Sequence, residues 1–542
     1  MRGIVCGLGQ VGYRVALLAL QAGHHVTVVA LSARPEWQRE VAAAGAEFFF
    51  GDARDETFLA SAGLDQAEWL ISATANDLTN IEIALDAKRL CPHIRTVARV
   101  FDQNLAPRLE STFGINRVLT MSRIAAPAFV SAAFGDQLVA SFEWDGERYS
   151  VARIPIDREH VFVGRTLAEI EGETELTALM LIDRDNVHHP LPDKTHKVQH
   201  GELLKLVGNE IAIQALSEDD SQAEERSYEP KVNRTHARPL RNLWKNAPRD
   251  LKALLLGLVG LIILSTGVFK VGMNLTPIDA FYFVVSTVTT TGYGDITPKD
   301  ASIWLKLYTC FVMLLGSATV ATLYSIITDA LVTARIRELT TGPPVPRKGH
   351  VIVVGLGNVG FRVCEELMRI GIEPVGLDID PDAKFASTLR VQIPVINGDA
   401  RESEVLDKAN FQSAAGIIVV TNDDAVNLSV GLLAREETGN QRIVLRMFDD
   451  RFAGKVQSAV SFQGTFSASS LAAPSFFGSA AYPGSVASFV LTGTIVSLMA
   501  RTESELPDAL ARGEVVVMRH PQGGILTTSM QPLKQAGSSQ KL

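Results

Sequence analysis

Cysteine is scarce in this sequence, which contains four cysteines among 542 residues. They are scattered along the chain without a C-x-x-C spacing, so no disulfide framework is expected and free thiols in a reducing cytosol are favoured. An excess of positive charge is also missing. The formal net charge is -9, which gives no support to a nucleic-acid partner. The first residues lead directly into a glycine turn without the long apolar stretch of a signal peptide, so we expect the first domain to lie in the cytoplasm.

An internal repeat divides the chain. The G-x-G-x-x-G segment at 7–12 matches a second one at 355–360, and further matches follow at a nearly constant offset. In both copies, β-branched runs alternate with helical segments, which is typical of βαβ units around a mostly parallel sheet. One α/β fold therefore occurs twice. The further matches are 51–53 with 398–400, Asn80 with Asn427, 99–102 with 446–449, and 125–127 with 472–474.

Two long uncharged runs lie between the copies. The first, 253–269, has 17 residues and is flanked by Lys252 and Lys270, and the second, 307–328, has 22 residues. At about 1.5 Å per helical residue, they nearly match or exceed a hydrocarbon core of roughly 30 Å. Basic residues concentrate outside the pair of runs. We therefore predict two membrane spans with both termini in the cytoplasm.

The sequence predicts a multidomain chain in which two Rossmann-like α/β domains, each with a smaller α+β lobe, flank an α-helical membrane domain with two spans. The second lobe is expected to be a degenerate counterpart of the first. The predicted boundaries are 1–138 and 348–485 for the Rossmann-like domains, 139–217 and 486–535 for their lobes, 218–250 for a linker with a basic approach to the membrane, and 251–335 for the membrane domain.

The segment between the two runs contains a helix start and a glycine-rich turn. Thr276, Pro277 and Asp279 offer a capping hydroxyl, a proline at the first position and an early carboxylate, which predict a short helix to about Thr289. The turn that follows can present stacked carbonyl oxygens, because its glycines let successive carbonyls face one side. Its candidate residues are Thr290, Thr291, Gly292, Tyr293, Gly294 and Asp295.

This turn resembles the selectivity filter of the potassium channel family, with Thr291 where valine or isoleucine is commoner. The resemblance implies that K⁺ binds at the backbone carbonyls of the turn. A nonselective cation pore remains the alternative. Gly316, midway along the second run, resembles the hinge glycine of such channels, although glycine in membrane helices often serves close packing alone.

Both repeats place G-x-G-x-x-G between a strand and a helix, where the helix N-terminus attracts a phosphate. The second repeat adds Asp378, 18 residues after Gly360, which is placed to hydrogen-bond ribose hydroxyls. At the position of Asp378, the first repeat has Ala30, which is followed by Ser32 and Arg34. Either these two residues accept a phosphate, or the first site has lost its ligand. The candidate residues are Gly355, Gly357, Gly360, Asp378 and Asp399 in the second repeat and Gly7, Gly9 and Gly12 in the first.

The repeats, with Gly-Asp-Ala at 398–400 and Asn-Asp-Asp at 422–424, resemble the RCK, or TrkA-N type, domains that regulate potassium channels and transporters. The resemblance covers most of 1–215 and 348–475. It implies NAD(H) or an adenine nucleotide at the second repeat and a homotetramer whose eight repeats form a cytoplasmic ring. Ca²⁺ is a further candidate ligand, with the acidic run 218–225 as one place for it. The family usually places the pore first, so a pore between the repeats is a departure.

Together these features predict a potassium-selective, nucleotide-gated channel subunit in a prokaryotic plasma membrane. A regulated potassium transporter component is a second hypothesis, but it requires many more spans than two. A membrane-anchored dehydrogenase is a third, and it requires a catalytic acid or base beside a substrate pocket. We find no such pair in the sequence, so we expect a protein that is not an enzyme.

Overall fold

The computed structural model describes residues 1–102, 105–134, 138–213, 216, 249–341, 343–437, 441–460 and 462–534. Two compact units divide the chain, one containing both repeats and their lobes and the other containing the apolar helices. The predicted linker lies outside the described residues as far as residue 248, and the acidic run at 218–225 lies entirely outside them.

The first repeat is a parallel sheet whose strands alternate with helices. Its strands are β1 (Arg2–Leu8), β2 (His25–Ala33), β3 (Glu47–Phe50), β4 (Trp69–Ser72), β5 (Arg95–Arg99) and β6 (Arg117–Leu119). Its helices are α1 (Gln10–Gln21), α2 (Pro35–Ala43), α3 (Glu56–Ser61), α4 (Asp77–Leu90), α5 (Ala106–Phe113) and α6 (Met121–Phe134). The strand order β3-β2-β1-β4-β5-β6 is that of the doubly wound fold that binds dinucleotides.

The first lobe is a small antiparallel sheet that carries the helix α7. Its elements are β7 (Leu138–Trp144), β8 (Glu147–Pro155), α7 (Leu167–Thr174), β9 (Thr177–Ile182), β10 (His188–Pro190) and β11 (Leu203–Asn209). The strand order is β10-β9-β11-β8-β7. Thr166 and Glu169 form a reciprocal capping box at the start of α7, which explains why the helix begins there.

The described part of the unit with the apolar helices, residues 249–341 and here called the membrane unit, forms three helices, namely α8 (Arg249–Gly272), α9 (Pro277–Val288) and α10 (Ile303–Thr341). Two segments, Leu254–Gly272 and Ile303–Ile326, are long and apolar enough to span a membrane. Both long helices extend beyond the predicted uncharged runs, because an α-helix continues through flanking charged residues where an apolar run stops. The short helix packs against both, with Phe283 edge-on to Phe269 of α8 at 4.9 Å. Most of the surface of both spans is exposed in the single chain.

The second repeat reproduces the first element by element. Its strands are β12 (Val351–Val354), β13 (Pro374–Asp378), β14 (Val395–Asn397), β15 (Gly416–Val419), β16 (Arg442–Arg446) and β17 (Gly464–Phe466). Its helices are α11 (Asn358–Arg369), α12 (Ala386–Arg390), α13 (Ser403–Lys408), α14 (Asp424–Glu437), α15 (Asp450–Val460) and α16 (Ala468–Ala481). The strand order β14-β13-β12-β15-β16-β17 is equivalent to that of the first repeat, so the predicted fold class is confirmed.

The second lobe is a closer counterpart of the first than the sequence indicates. Its elements are β18 (Ser485–Leu491), β19 (Thr494–Arg501), α17 (Leu506–Ala511), β20 (Val515–Arg519) and β21 (Ile525–Pro532). The order β18-β19-β21-β20 matches β7-β8-β11-β9. Among the described residues, only a counterpart of the short strand β10 is missing from this sheet.

The last helix of each repeat packs on the other repeat. Phe129 of α6 contacts Phe466 of β17 edge-on at 5.5 Å, and Phe477 of α16 contacts Trp69 of β4 at 6.0 Å. The Arg95 guanidinium of β5 donates a 2.7 Å hydrogen bond to the Ala480 carbonyl. One apolar core therefore contains side chains of both repeats, which fixes their relative position.

Candidate functional site

Helix α9 of the membrane unit begins where the sequence predicts. The Thr276 hydroxyl accepts a 3.2 Å hydrogen bond from the Asp279 backbone N–H and donates one of 2.7 Å to the Asp279 carboxylate. Pro277 is the first helical residue, where its missing N–H costs nothing. The helix ends at Val288 with Thr289 as its C-cap, so its partly negative end directly precedes the candidate filter.

The sign of the backbone φ angle alternates along the candidate filter. Thr290, Gly292 and Gly294 have φ values of 61°, 53° and 77°, whereas Thr291 and Tyr293 between them do not have positive φ. Successive carbonyls point to opposite sides of an ordinary extended strand, and alternating the sign of φ turns them toward one side. A left-handed conformation at a β-branched threonine costs on the order of 1–3 kcal/mol, so local packing must hold it.

Hydrogen bonds anchor this segment to the last turn of α9. The backbone N–H groups of Thr291 and Gly292 both donate to the Ser286 carbonyl, at 2.9 and 3.1 Å. The hydroxyls of Thr289 and Thr291 lie 3.0 Å apart. The segment is therefore held by the helix that precedes it.

All six candidate filter residues are exposed in the single chain. The Tyr293 side chain is 71% exposed, and its ring is nearly parallel to that of Tyr282, with 6.4 Å between centroids. The six candidate residues are therefore accessible in the single chain.

Gly316 lies inside helix α10, which continues unbroken through it. A Cβ atom at this position would stand 3.0 Å from Cα and 3.1 Å from Cγ2 of Val288, at the end of α9. The absence of a side chain thus permits close packing against α9. This geometry accounts for the glycine through packing, and the hinge role stays a prediction.

The glycine loop of the second repeat is built for close approach. Gly355 has a φ of 92°, and a Cβ at Gly360 would lie 1.8 Å from the Gly355 carbonyl oxygen. Gly357 is the N-cap of α11 and provides no side-chain cap, and a Cβ there would meet only open space. The first N–H groups of α11 are therefore accessible to an anion.

Asp378 lies beside this loop at the end of β13. Its carboxylate accepts hydrogen bonds from the backbone N–H of Leu356 at 2.6 Å and of Asp380 at 3.0 Å. Asp399 follows β14 but is engaged by Arg401, whose hydrogen bonds lower the pKa of the Asp399 carboxyl. Of these two predicted residues, only Asp378 contacts the glycine loop directly.

The first repeat has the same loop with different surroundings. Gly7 has a φ of 96°, a Cβ at Gly12 would lie 1.9 Å from the Gly7 carbonyl oxygen, and Gly9 caps α1 beside open space. Ala30, the counterpart of Asp378, is buried in a strand that continues to Ala33, which pairs with the strand β1. The chain's own backbone therefore runs along this loop where the second repeat presents a carboxylate.

Several side chains beside the second loop belong to no sequence motif. Phe361 and Phe385 stack at 4.4 Å, and Lys384 donates a 3.1 Å hydrogen bond to the Asn358 side chain. Phe101, from the first repeat, lies 5.3 Å from the Lys384 ammonium. Aligning the repeats residue by residue reveals the aromatic pair, because Tyr13 and Trp37 occupy the same positions in the first repeat. The contact with Phe101 depends on tertiary packing.

Two family models match the chain, and their arrangement agrees with this geometry. The TrkA-N domain matches residues 3–121 and again 351–462. An ion channel domain matches residues 256–333. The chain carries two TrkA-N domains and an ion channel domain. The predicted resemblance to potassium channels with TrkA-N type domains is thus confirmed at the level of domains.

Similar proteins include potassium channel proteins that share part of this domain set. Probable potassium channel protein 2 of Methanocaldococcus jannaschii is 31% identical over 187 residues, which are 33% of this chain and 54% of that protein. The voltage-gated potassium channel Kch of Escherichia coli is 30% identical over 183 residues, which are 33% of this chain and 43% of Kch. The chain spans about half the length of these curated relatives or less.

Solved structures share the fold of the two TrkA-N domains at low sequence identity. The GsuK channel covers 97% of this chain and 76% of its own, with a TM-score of 0.52 and 15% identity. The GsuK RCK domain covers 99% of this chain and 90% of its own, with a TM-score of 0.51 and 17% identity. The GsuK channel bound to NAD matches with a TM-score of 0.51, 15% identity, and coverage of 98% and 76%.

Proposed function

We propose that the chain is a subunit of a potassium-selective channel, controlled by a nucleotide that binds to its second TrkA-N domain. The alternating backbone of 290–294 carries this proposal, because it is suited to presenting stacked carbonyl oxygens to a dehydrated cation. K⁺ is the proposed permeant ion. The potassium channel proteins among the relatives support this choice.

We propose a homotetramer. The exposed filter segment and the largely exposed spans of the single chain support it, since a closed pore has to be lined by several copies. Four chains would supply eight TrkA-N domains, enough for a cytoplasmic ring without further subunits. The lipid bilayer would cover the remaining apolar surface of the helices.

The proposed ligand is NAD(H) or an adenine nucleotide at the second TrkA-N domain. The uncapped start of α11 would take its phosphates, and Asp378 would hydrogen-bond its ribose. The GsuK channel, solved with NAD, supports this class of ligand. The first domain carries the glycines without the carboxylate, so we propose one ligand per chain. This role is binding and does not require catalysis.

Nucleotide binding would act on the pore through the connection between α10 and the second TrkA-N domain. Helix α10 ends at Thr341 and strand β12 begins at Val351, so few residues join them. A ligand can shift the pore only if it binds the open and closed rings with different affinities. We place the channel in a prokaryotic plasma membrane with both termini cytoplasmic, because basic residues concentrate before the first span and after the second.

Cation flux into liposomes tests the proposal. The purified full-length chain should pass K⁺ in preference to Na⁺, and ADP or NAD should change the K⁺ flux. Gly292→Ala should abolish selective flux, because the left-handed backbone at Gly292 disfavours a Cβ. Gly267→Ala is the matched control, since a Cβ at that helical glycine would meet only open space.

Two results would contradict separate parts of the proposal. Equal fluxes of K⁺ and Na⁺ would favour the nonselective cation channel and overturn the selectivity of the filter. Selective flux that does not change with either nucleotide would leave the pore intact and overturn the gating. A chain that passes no ion alone would favour a regulated transporter component.

A further inference from the structure

Two cations from different repeats share one aromatic ring beside the second glycine loop. The Lys384 ammonium donates a 3.1 Å hydrogen bond to the side-chain oxygen of Asn358, which is the first residue of α11. The same ammonium lies 5.3 Å from the centre of the Phe101 ring, which belongs to the first repeat. The guanidinium carbon of Arg99, also from the first repeat, lies 4.6 Å from that ring. The Phe101 ring is therefore shared by one cation of each repeat, and the cation of the second repeat lies at the start of α11.

Among the described residues, Arg99 has one nearby carboxylate, that of Asp77, and few hydrogen-bond acceptors. Its Nε atom is buried and has no hydrogen-bond partner among these residues, and its Nη1 atom lies 3.4 Å from the Thr74 carbonyl oxygen. Burial lowers the pKa of Arg99 to about 10, with Asp77 opposing that change and the like charge of Arg446 adding to it. A guanidinium in this position gains from an anion that brings hydrogen-bond acceptors.

The corresponding place in the first repeat has a different arrangement of charge, with the Arg14 guanidinium 5.0 Å from the Phe448 ring and the Arg34 guanidinium 4.5 Å from the Trp37 ring. Glu36 occupies the position of Lys384, at the same offset that relates Gly12 to Gly360. Arg446, the counterpart of Arg99, donates a 2.8 Å hydrogen bond to the Asn422 side chain and only approaches Gln10 of the first loop, at 3.5 Å. At the two positions that correspond to Lys384 and Arg99, the first repeat therefore has a carboxylate and an arginine that already has a hydrogen-bond partner.

We propose that Arg99 of the first repeat and Lys384 of the second, here called the cation pair, hold the phosphates of a nucleotide bound at the second repeat. The ligand would then bridge the two repeats. This inference rests on the proposed nucleotide site and adds to it a contribution from the first repeat. Because one bound molecule would contact both repeats, its affinity would depend on their relative position, as a gating ligand requires.

Isothermal titration of the full-length chain with ADP tests the cation pair. Arg99→Gln and Lys384→Gln should each weaken ADP binding by about tenfold, the effect of losing one charge-assisted contact. Arg34→Gln is the matched control, because it removes an exposed guanidinium from above the Trp37 ring of the first repeat, and it should bind ADP as the unaltered chain does. Inorganic pyrophosphate and adenosine serve as separate probes. Both variants should weaken pyrophosphate binding and leave adenosine binding unchanged.

The outcomes separate this inference from the proposed function. An unaltered chain that binds neither ADP nor NAD would overturn both together. An unaltered chain that binds ADP, with unchanged affinity in Arg99→Gln and Lys384→Gln, would overturn the cation pair alone. Lys384 is exposed, so its variant gives a result even if Arg99→Gln does not fold. Equal losses for ADP and adenosine would also contradict the inference, since they indicate general damage to the site.

Discussion

The two repeats have the same strand order and the same glycine loop, and they differ in what lies at the end of the second strand. A Cβ at Gly12 or Gly360 would come within 2 Å of a backbone oxygen, so both loops need glycine to fold, whether or not a ligand binds. The carboxylate of Asp378 has no counterpart at Ala30. A glycine motif of this kind therefore identifies the fold, and the charged side chains around it identify the ligand site.

The two lobes show a similar difference inside a shared sheet. By the register of the two sheets, Glu514 and Thr527 of the second lobe correspond to Leu176 and Leu206 of the first, and both leucines are buried. Glu514 forms two hydrogen bonds with Arg501, at 2.9 and 2.7 Å. One lobe thus has an apolar centre, and the other has a buried ion pair at the same place.

The largest predicted effect follows from breaking that ion pair. Glu514→Leu gives the second lobe the residue type of the first but leaves Arg501 buried without its carboxylate, which should cost about 3–5 kcal/mol. Hydrogen exchange of the amides across 485–532 should measure this loss of local stability. The double variant with Arg501→Met as well should lose less. A single variant that loses under about 1 kcal/mol would show that the charges are solvated after all.

Acid should act on the second lobe through the same pair. Burial alone would raise the pKa of the Glu514 carboxyl, but hydrogen bonds from Arg501 and Thr527 outweigh it and lower the pKa to about 2. Since the ordinary value is near 4.5, this contribution is complete above pH 4.5 and is lost as the pH falls toward 2. Hydrogen exchange should therefore accelerate in the second lobe over that range, and Glu514→Leu should remove this dependence.

The next effect concerns the glycines that the repeats share. Gly12→Ala and Gly360→Ala should each destabilise their repeat by about 1–3 kcal/mol, because the added Cβ overlaps a carbonyl oxygen. Thermal unfolding of the full-length chain without nucleotide should show similar losses for both variants. Gly9→Ala is the control, since its Cβ would meet only open space. A large loss for Gly360→Ala and none for Gly12→Ala would mean that the first loop is not built like the second.

The parts of the structure that the sequence predicts well depend on local rules. The start of α9 follows from Thr276, Pro277 and Asp279, whose capping contacts form within one turn. The repeated fold follows from matches at a constant offset, and the two spans follow from uncharged length. The glycine loops follow because their backbone requires residues without a Cβ.

The remaining features depend on contacts between distant parts of the chain. The repeated Ala-Ala-Pro segments predict a recurring element, but no local pattern shows that α6 and α16 each pack on the opposite repeat. The sequence of the second lobe is shorter than that of the first and resembles it weakly, which predicts a degenerate counterpart, yet its sheet is nearly complete. No sequence motif indicates the cation pair, because its members come from different repeats.

The smallest predicted effect concerns Asp378, the carboxylate that the second repeat has and the first lacks. Asp378→Ala removes both the proposed ribose contact and the acceptor for the buried Leu356 N–H, so ADP affinity should fall about tenfold. Asp378→Asn keeps an acceptor for the loop and should lose less.

Ala30→Asp should not create a second site, because the strand β2 continues past that position. Titration of each variant with ADP should give one ligand per chain wherever binding persists. Two ligands per chain in Ala30→Asp would show that the carboxylate alone separates the repeats, and that the extended strand does not obstruct the first loop.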